Sequence, residues 1–194
     1  MTSFEILATI TGIIGVYFQA KEKIIAWPFV LISVSISSII FFESKLYSDF
    51  GLHIIYIFLN MYGWYIWSNK TYKSIVTPTK LLPLNGLIAT FLGTVGFTLI
   101  LGYLMHTYTD ADLPYFDAFT TSGSLIAQYL LAKKYLQNWW LWIIVDIVAI
   151  PMYLYKGLYI IAGLFAVYLI LSIYGYLEWK KAVNKTDLSF KNKL

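Results

Sequence analysis

Long runs of apolar residues, separated by short polar segments, recur along the whole chain. Each run holds about 17 to 25 residues, the length that an α-helix needs to cross a hydrocarbon core of about 30 Å. The runs lie near residues 3–20, 26–43, 46–67, 82–105, 115–132, 138–155 and 158–179. The pattern therefore predicts an all-α integral membrane protein with seven transmembrane helices.

The second half of the chain repeats the first. A shift of 112 positions without a gap aligns Trp27, Gly63 and Trp67 with Trp139, Gly175 and Trp179. Spans one to three match spans five to seven, and span four has no counterpart. Because an even number of spans separates the copies, both keep the same orientation in the membrane, which predicts a 3+1+3 parallel repeat with a SWEET-like arrangement.

The repeat divides the chain into segments. They are a first three-helix bundle at 1–70, a loop with the linker span at 71–110, a second three-helix bundle at 111–180 and a lysine-rich tail at 181–194. Span four carries small residues at Gly86, Ala89, Gly93 and Gly96. Small residues allow close helix contact, and we expect this face to pack within the chain rather than against another protomer.

Composition supports a membrane protein and gives its orientation. Hydrophobic residues make up 59% of the chain, charged residues 12%, and the mean hydropathy is +0.69. Of the 14 lysines, only Lys45 and Lys156 lie on one side of the predicted membrane. The positive-inside rule then predicts an outer N-terminus and a cytoplasmic C-terminus. Topology explains the basic charge, so no nucleic-acid partner is expected, and the absence of cysteine excludes a thiolate metal site.

Polar side chains recur at helical spacing inside three of the predicted spans. Such residues are costly in lipid unless they face a cavity or a partner. The three faces are Asp49, His53, Tyr56, Asn60, Trp64 and Trp67 on span three, Asp117, Thr121, Ser124 and Gln128 on span five, and Trp139, Trp142, Asp146 and Tyr153 on span six.

Depth in the membrane brings these faces together. At a rise of about 1.5 Å per residue, Asn60, Gln128 and Trp142 lie about 20 Å from the outer surface, and Ser124 and Asp146 about 13 Å. Amides, an indole and a carboxylate at similar depth predict a pocket for a polar aromatic solute, with the carboxylate attracting positive charge.

Simpler interpretations exist for the same residues. A lone Asn or Gln in a span often bridges two helices, and Asp146 could stabilise the fold by pairing with a neighbour. Tryptophans near the cytoplasmic boundary are typical of an interfacial aromatic belt. We assign Trp67 and Trp179 to such a belt and leave Trp64 and Trp139 open between belt and pocket.

Three segments resemble the PnuC family of bacterial vitamin transporters. They are NMYGWYIW at 60–67, the stretch 117–159 with its NW-x-x-W-x-x-x-D pattern, and SIYGYLEW at 172–179. The resemblance implies a SWEET-like seven-helix core, a homotrimer in the bacterial inner membrane and facilitated uptake of nicotinamide riboside, which a cytoplasmic kinase then traps. It also implies that Asn60, Gln128, Trp142 and Asp146 bind the substrate.

The residues and the resemblance together give one set of expected substrate contacts and several functional alternatives. The set is Asn60, Trp64, Thr121, Ser124, Gln128, Trp139, Trp142, Asp146 and Tyr153. No cofactor or metal is expected. Thiamine, riboflavin or a role without transport remain open. An intramembrane enzyme is disfavoured because Asp49, Asp117 and Asp146 differ in depth by roughly 10 Å, too far for a carboxylate pair.

Overall fold

The computed structural model describes residues 3–43, 47–69 and 79–191, without the side chains of 47–48 and 185–191. Seven α-helices are present in these ranges. They are α1 (Ser3–Ala20), α2 (Ala26–Glu43), α3 (Tyr47–Ser68), α4 (Leu84–Tyr108), α5 (Pro114–Ala132), α6 (Asn138–Tyr155) and α7 (Tyr159–Lys191).

Every predicted apolar run coincides with one of these helices. Two differences have physical reasons. The last helix continues to Lys191 because no Gly or Pro interrupts the segment that we interpreted as a tail. By length and hydropathy, five of the described helices are apolar enough to cross a membrane, and α3 and α5 are not among them. These two helices carry many of the polar residues that we placed inside the protein. Residues 70–78 of the predicted loop lie outside the described ranges.

Helix contacts close a ring of six helices. Within each half, α1 packs on α2 and α2 on α3, and likewise α5 packs on α6 and α6 on α7. The halves meet where α3 packs on α5 and where α1 packs on α7. We call these two contacts the seams. Helix α4 lies outside the ring, against α5.

The turns α1–α2 and α5–α6 have the same backbone structure. Lys23 N donates to Phe18 O at 2.9 Å, and Tyr135 N donates to Leu130 O at 3.0 Å. Both turns lie at the same end of the ring, where α3 and the apolar part of α7 also end. Most of the lysines whose side chains the structure describes lie there, and we call it the lysine-rich end.

In each half, one tryptophan packs closely against a glycine of the neighbouring helix near this end. The ring of Trp27 on α2 lies against Gly63 on α3, and the ring of Trp139 on α6 lies against Gly175 on α7. A Cβ atom on either glycine would overlap the indole, so the absence of a side chain is what allows the helices to come this close. Both indoles are fully buried, at 0% and 1% exposure.

The small residues of α4 make only part of the contact within the chain that we predicted. Gly93 makes ordinary contact with Ile126, but the space next to Gly96 is open. The tightest contact of α4 with α5 is instead at Gly102, against the Tyr115 ring. A hydrogen bond of 2.6 Å between the Thr98 and Ser122 hydroxyls also joins the two helices. The close face lies farther along α4 because that part of the helix faces the start of α5.

Replacing Gly63 or Gly175 by alanine should destabilise the protein. The added methyl group meets a rigid, buried indole rather than the end of a flexible side chain, and overpacking of this kind costs about 1 to 3 kcal/mol. Thermal unfolding in detergent measures the effect.

Gly51 and Gly163 provide the matched control. They are a second repeated glycine pair, and a Cβ atom on either meets nothing within 4 Å. Gly51→Ala and Gly163→Ala should leave the unfolding temperature unchanged or raise it. Equal losses at all four glycines would show that indole packing is not the cause.

Candidate substrate-binding site inside the helix ring

Two contacts between polar side chains cross the seam between α3 and α5. Gln128 Nε2 donates to Asn60 Oδ1 at 2.9 Å, and Asn60 Nδ2 donates to the Tyr56 carbonyl oxygen at 2.7 Å. One turn away, the Tyr56 hydroxyl interacts with Ser124. Asn60, Ser124 and Gln128 are all buried, at 1%, 7% and 5% exposure. The structure therefore brings three of the predicted contact residues together.

The Asn60–Gln128 hydrogen bond bridges two helices, as the simpler interpretation held, but it does not use up either amide. Each amide has two N–H donors and a carbonyl oxygen with two lone pairs. The bond occupies one donor of Gln128 and one lone pair of Asn60. The bridge can therefore position both groups and still leave hydrogen-bonding capacity for a ligand.

Asp146 belongs to a separate group on α6 and α7. Its side chain is 1% exposed, and Ser172 Oγ donates to its Oδ2 at 3.1 Å. Tyr168 lies within electrostatic range of this carboxylate. No cation forms an ion pair with Asp146 among the residues that the structure describes. The predicted pairing with a neighbour is therefore a hydrogen bond from a hydroxyl group rather than an ion pair with a cation.

Aromatic rings lead from Asp146 towards the opposite end of the ring. Tyr168 contacts Phe165 edge to face with centroids 6.2 Å apart, and Phe165 stacks on Tyr153 at 5.1 Å. Tyr153, one of the predicted contacts, is half-buried and lies within electrostatic range of Asp117. Asp117 itself is paired with Lys156 at 2.7 Å.

Four buried tryptophans occupy the lysine-rich end of the ring. Trp27 contacts Trp67 edge to face at 5.1 Å, Trp139 contacts Trp179 edge to face at 5.5 Å, and Trp67 contacts Trp179 at 6.1 Å. We call them the tryptophan cluster. Trp142, a predicted contact, is half-buried and packs against the cluster.

The assignment of Trp67 and Trp179 to an aromatic belt is wrong. Their side chains are 8% and 0% exposed, and their indole N–H groups donate across the seams to Ala132 O and Gln19 O, each at 3.2 Å. A belt residue must reach the lipid surface, whereas these two residues fasten the halves to each other. Trp139 is also buried, so the belt interpretation fails for it too.

Indole donors within the cluster are available for a ligand. The Nε1 atoms of Trp139 and of its repeat counterpart Trp27 are buried and have no hydrogen-bond partner in the described parts of the chain. A buried N–H without an acceptor is costly, and an oxygen of a bound solute would satisfy it. This supports Trp139 as a contact residue.

Two predicted contact residues stand apart from these groups. Trp64 is 40% exposed and lines an outward groove of about 500 Å³ with Leu31 and Met61, on the outside of the ring between α2 and α3. Thr121 is half-buried on α5, one turn before Ser124. The structure therefore places the predicted contacts in separate buried groups, one around Asn60 and Gln128, one around Asp146 and one at the tryptophan cluster, and leaves Trp64 on the outer face of the ring.

Several interior residues were absent from the predicted set, and the repeat could have identified most of them. Ser172 occupies the position that matches Asn60, and Trp27 matches Trp139, whereas Tyr168 matches Tyr56, which lay on the predicted polar face of span three but outside the contact set. A residue whose counterpart is a predicted contact is itself a candidate, because the two halves place it at an equivalent point of the ring.

Stacked tyrosine pairs mark both seams at the lysine-rich end. Tyr17 stacks on Tyr174 with centroids 6.1 Å apart, and Tyr62 stacks on Tyr129 at 6.4 Å. Lys21, just beyond the end of α1, lies 4.8 Å from the Tyr17 ring centroid. The hydrogen bond and negative charge that Tyr17 can provide raise the pKa of Lys21 above its ordinary value. The seams thus have matching packing on both sides of the ring.

A ring of apolar helices with a buried polar interior is the architecture of a multi-pass membrane transporter of small solutes. Comparison with known families agrees. Residues 2–181 match the family described as nicotinamide mononucleotide transporter, and the chain belongs to that family.

Characterised relatives extend over nearly the whole chain. The nicotinamide riboside transporter PnuC of Escherichia coli is 26% identical over 200 residues, covering 90% of this chain and 84% of the relative. PnuC of Neisseria mucosa is 29% identical over 192 residues, with 92% and 72% coverage. The riboflavin/roseoflavin transporter RibM of Streptomyces davaonensis is 24% identical over 183 residues, with 90% and 83% coverage.

A solved structure has the same fold. The crystal structure of the vitamin B3 transporter PnuC superposes with a TM-score of 0.74 and 26% identity, covering 94% of this chain and 82% of that one. The family resemblance read from the sequence is confirmed.

The Asn60–Gln128 bond should be visible as an energetic coupling. Asn60→Leu or Gln128→Leu alone leaves a buried amide without its partner, whereas the double variant removes both groups. We expect the double variant to be about 1 kcal/mol more stable than the sum of the single losses predicts. Reversible unfolding in detergent or bicelles measures all four proteins.

Ser38 gives the control for this cycle. It is buried on α2, and its hydroxyl donates to Ser35 O of its own helix. The losses from Ser38→Ala and Gln128→Leu should add. Additive losses for Asn60 and Gln128 as well would mean that the hydrogen bond between them contributes nothing to stability.

Proposed function

We propose that this protein carries nicotinamide riboside across the bacterial inner membrane by facilitated diffusion. The observation that carries the proposal is the buried carboxylate of Asp146, which has no cationic partner among the described residues and lies beside the Ser172 hydroxyl and the aromatic side chain of Tyr168. The names of the relatives from Escherichia coli and Neisseria mucosa support the same substrate.

The chemistry of nicotinamide riboside matches this interior. Its pyridinium ring is flat and positively charged, so it can stack on Trp142 and be attracted to Asp146. Its carboxamide and ribose hydroxyls can use the free hydrogen-bonding capacity of Asn60 and Gln128 and the indole N–H of Trp139. We include Thr121, Ser124 and Tyr153 as lining residues, and we no longer include Trp64, which faces outward.

Thiamine and riboflavin are the alternative substrates. Thiamine is also a cationic aromatic solute and would use the same groups. The relative RibM favours a flavin, but riboflavin is neutral and would leave the charge of Asp146 without compensation. The buried acid therefore favours a cationic vitamin.

We infer a 3+1+3 parallel repeat with a SWEET-like arrangement, with bundles near 1–70 and 111–180 joined through α4. The matching seams and matching tryptophan–glycine contacts support it. Rocking of one bundle against the other would open the interior to each side in turn. The lysine-rich end is then cytoplasmic, with the N-terminus outside. The family resemblance further suggests a homotrimer and trapping of the vitamin by a cytoplasmic kinase.

Substitutions in the interior should weaken binding. Trp142→Ala removes the stacking surface and Asp146→Asn removes the charge, and each should raise the Kd for nicotinamide riboside about tenfold or more. Isothermal titration of the purified protein measures this. Gln128→Ala should raise the Kd as well.

Trp140→Ala is the matched control for Trp142→Ala. Trp140 is 51% exposed on the same helix, so its loss should leave the Kd unchanged. Unaltered affinity in the Trp142, Asp146 and Gln128 variants would place the binding site elsewhere in the protein.

Substrate identity can be tested in sealed vesicles that contain a trapping kinase for each vitamin. We expect accumulation of nicotinamide riboside, and Asp146→Asn should reduce it. Uptake of thiamine alone would support the alternative substrate. No uptake of any of the three vitamins would contradict a transport function.

A further inference from the structure

An ion pair joins two residues that occupy the same position in the two halves. Lys134 Nζ lies 2.9 Å from Glu22 Oε2, and the two residues are 112 positions apart, the shift that relates the halves. A residue in contact with its own counterpart must lie beside the pseudo-two-fold axis between the halves. Trp67 and Trp179 are also counterparts in contact, and they mark the same axis. We call Glu22–Lys134 the axial ion pair.

The backbone at both positions is unusual. Glu22 has φ 54° and Lys134 has φ 58°, and they are the two non-glycine residues with positive φ in the described chain. Each follows the end of a helix, at a position where glycine is the common choice because a side chain is disfavoured in this conformation. Strain that is tolerated at two matching positions indicates that the side chains are needed there.

The surroundings of the axial ion pair strengthen it. The Lys134 side chain is 11% exposed and that of Glu22 21% exposed, so solvent screens the pair only partly. Lys134 Nζ also lies 4.6 Å from the Trp67 ring centroid. By contrast, the pair Lys181–Glu178 lies within one helix, with Lys181 68% exposed.

Glu22 also accepts a hydrogen bond from a second group on the Lys134 side of the axis. Thr79 Oγ1 donates to Glu22 Oε1 at 2.9 Å. The adjacent Lys80 exchanges backbone hydrogen bonds of 3.0 Å with Lys134 and Leu136, which attaches Thr79 to the α5–α6 turn. One carboxylate of the first half is therefore held by two groups that move with the second half.

We propose that the axial ion pair is a latch that keeps the lysine-rich end of the transport pathway closed and must break before a solute can pass that end. The inference rests on the proposed transport by rocking of the two halves. The latch lies over the tryptophan cluster, where the ring is most tightly packed, and it directly connects the α1–α2 turn with the α5–α6 turn. Separation of the halves at this end would pull the two side chains apart.

Because of the repeat, exchange of the two residues of this latch has an unusual expected result. At most ion pairs, exchange of the two residues fails because each side chain is placed in an environment built for the other. Here the environments correspond apart from the Thr79 hydrogen bond to Glu22, since a lysine at position 22 would face Trp179 as Lys134 faces Trp67. Exchange of the two charges should therefore preserve the latch, whereas either like-charged combination should open it by repulsion.

Access to the interior tests the latch without any substrate. The chain contains no cysteine, so Ser124→Cys introduces a single thiol at a buried interior position. The measured quantity is its rate of modification by a membrane-impermeant methanethiosulfonate reagent, applied to each side of sealed vesicles in turn. A cleavable C-terminal tag identifies the lysine-rich side.

From the lysine-rich side, Glu22→Gln and Lys134→Gln should each accelerate modification about tenfold, because the closed state loses its latch. The double exchange Glu22→Lys with Lys134→Glu should return the rate to that of the parent. Asp117→Asn, which breaks the similarly exposed Asp117–Lys156 pair within the second half, should leave the rate unchanged.

Glu22→Gly distinguishes the effect of losing the ion pair from the effect of the positive φ angle in the turn. Glycine relieves the positive φ while removing the carboxylate, so we expect faster modification together with an unfolding temperature equal to or above that of the parent. A variant that is merely misfolded would not combine these two results.

Equal modification rates in the parent, Glu22→Gln and Lys134→Gln would overturn the latch, and so would a double exchange as fast as the single variants. Vitamin uptake is measured separately in the cysteine-free protein, because Ser124 is one of the proposed lining residues. Absence of uptake there contradicts the proposed function, whereas the modification rates still decide whether this end is closed by the axial ion pair.

Discussion

Contact across the two seams is the constraint on which the structure depends. Helices that are already surrounded by lipid gain little from the hydrophobic effect when they associate, so close packing and hydrogen bonds must hold the halves together. The Trp67 and Trp179 indoles supply both, because each donates to a carbonyl oxygen across its seam while packing in the tryptophan cluster. Once α3 lies beside α5, Asn60 and Gln128 meet.

The seams also explain why the lysine-rich end is the more tightly built end of the ring. Stacked tyrosines, buried indoles and the axial ion pair all lie there. Towards the other end, Asp117 and Lys156 pair within the second half and do not cross a seam. Under the proposed alternating access, the end with more contacts between the halves would be the closed one, and here that is the lysine-rich end.

Helix positions could be predicted from the sequence because a membrane imposes a length on each apolar run. Side-chain directions were harder. Depth along a helix follows from counting residues, but the angle around it depends on packing partners that a single span does not reveal. Trp67 stands about 20° from Asn60 around α3 and faces inward, whereas Trp64 stands about 40° away on the other side and reaches the exterior. A difference of this size decides between pocket and lipid.

The repeat separates residues that build the ring from residues that give it a function. Some packing positions are identical in both halves, as at Gly63 and Gly175, because the same contact is made twice. A solute without two-fold symmetry needs different groups on its two sides, and the proposed contact Asp146 has no acidic counterpart, because Val34 occupies the matching position in the first half.

Charged residues beside the axis must differ between the two halves. A residue there meets its own copy, so two identical charges would repel, and only opposite or neutral residues can hold the halves together. Glu22 and Lys134 satisfy this condition. The departures from the repeat are therefore where the chemistry of binding and of closure should be found.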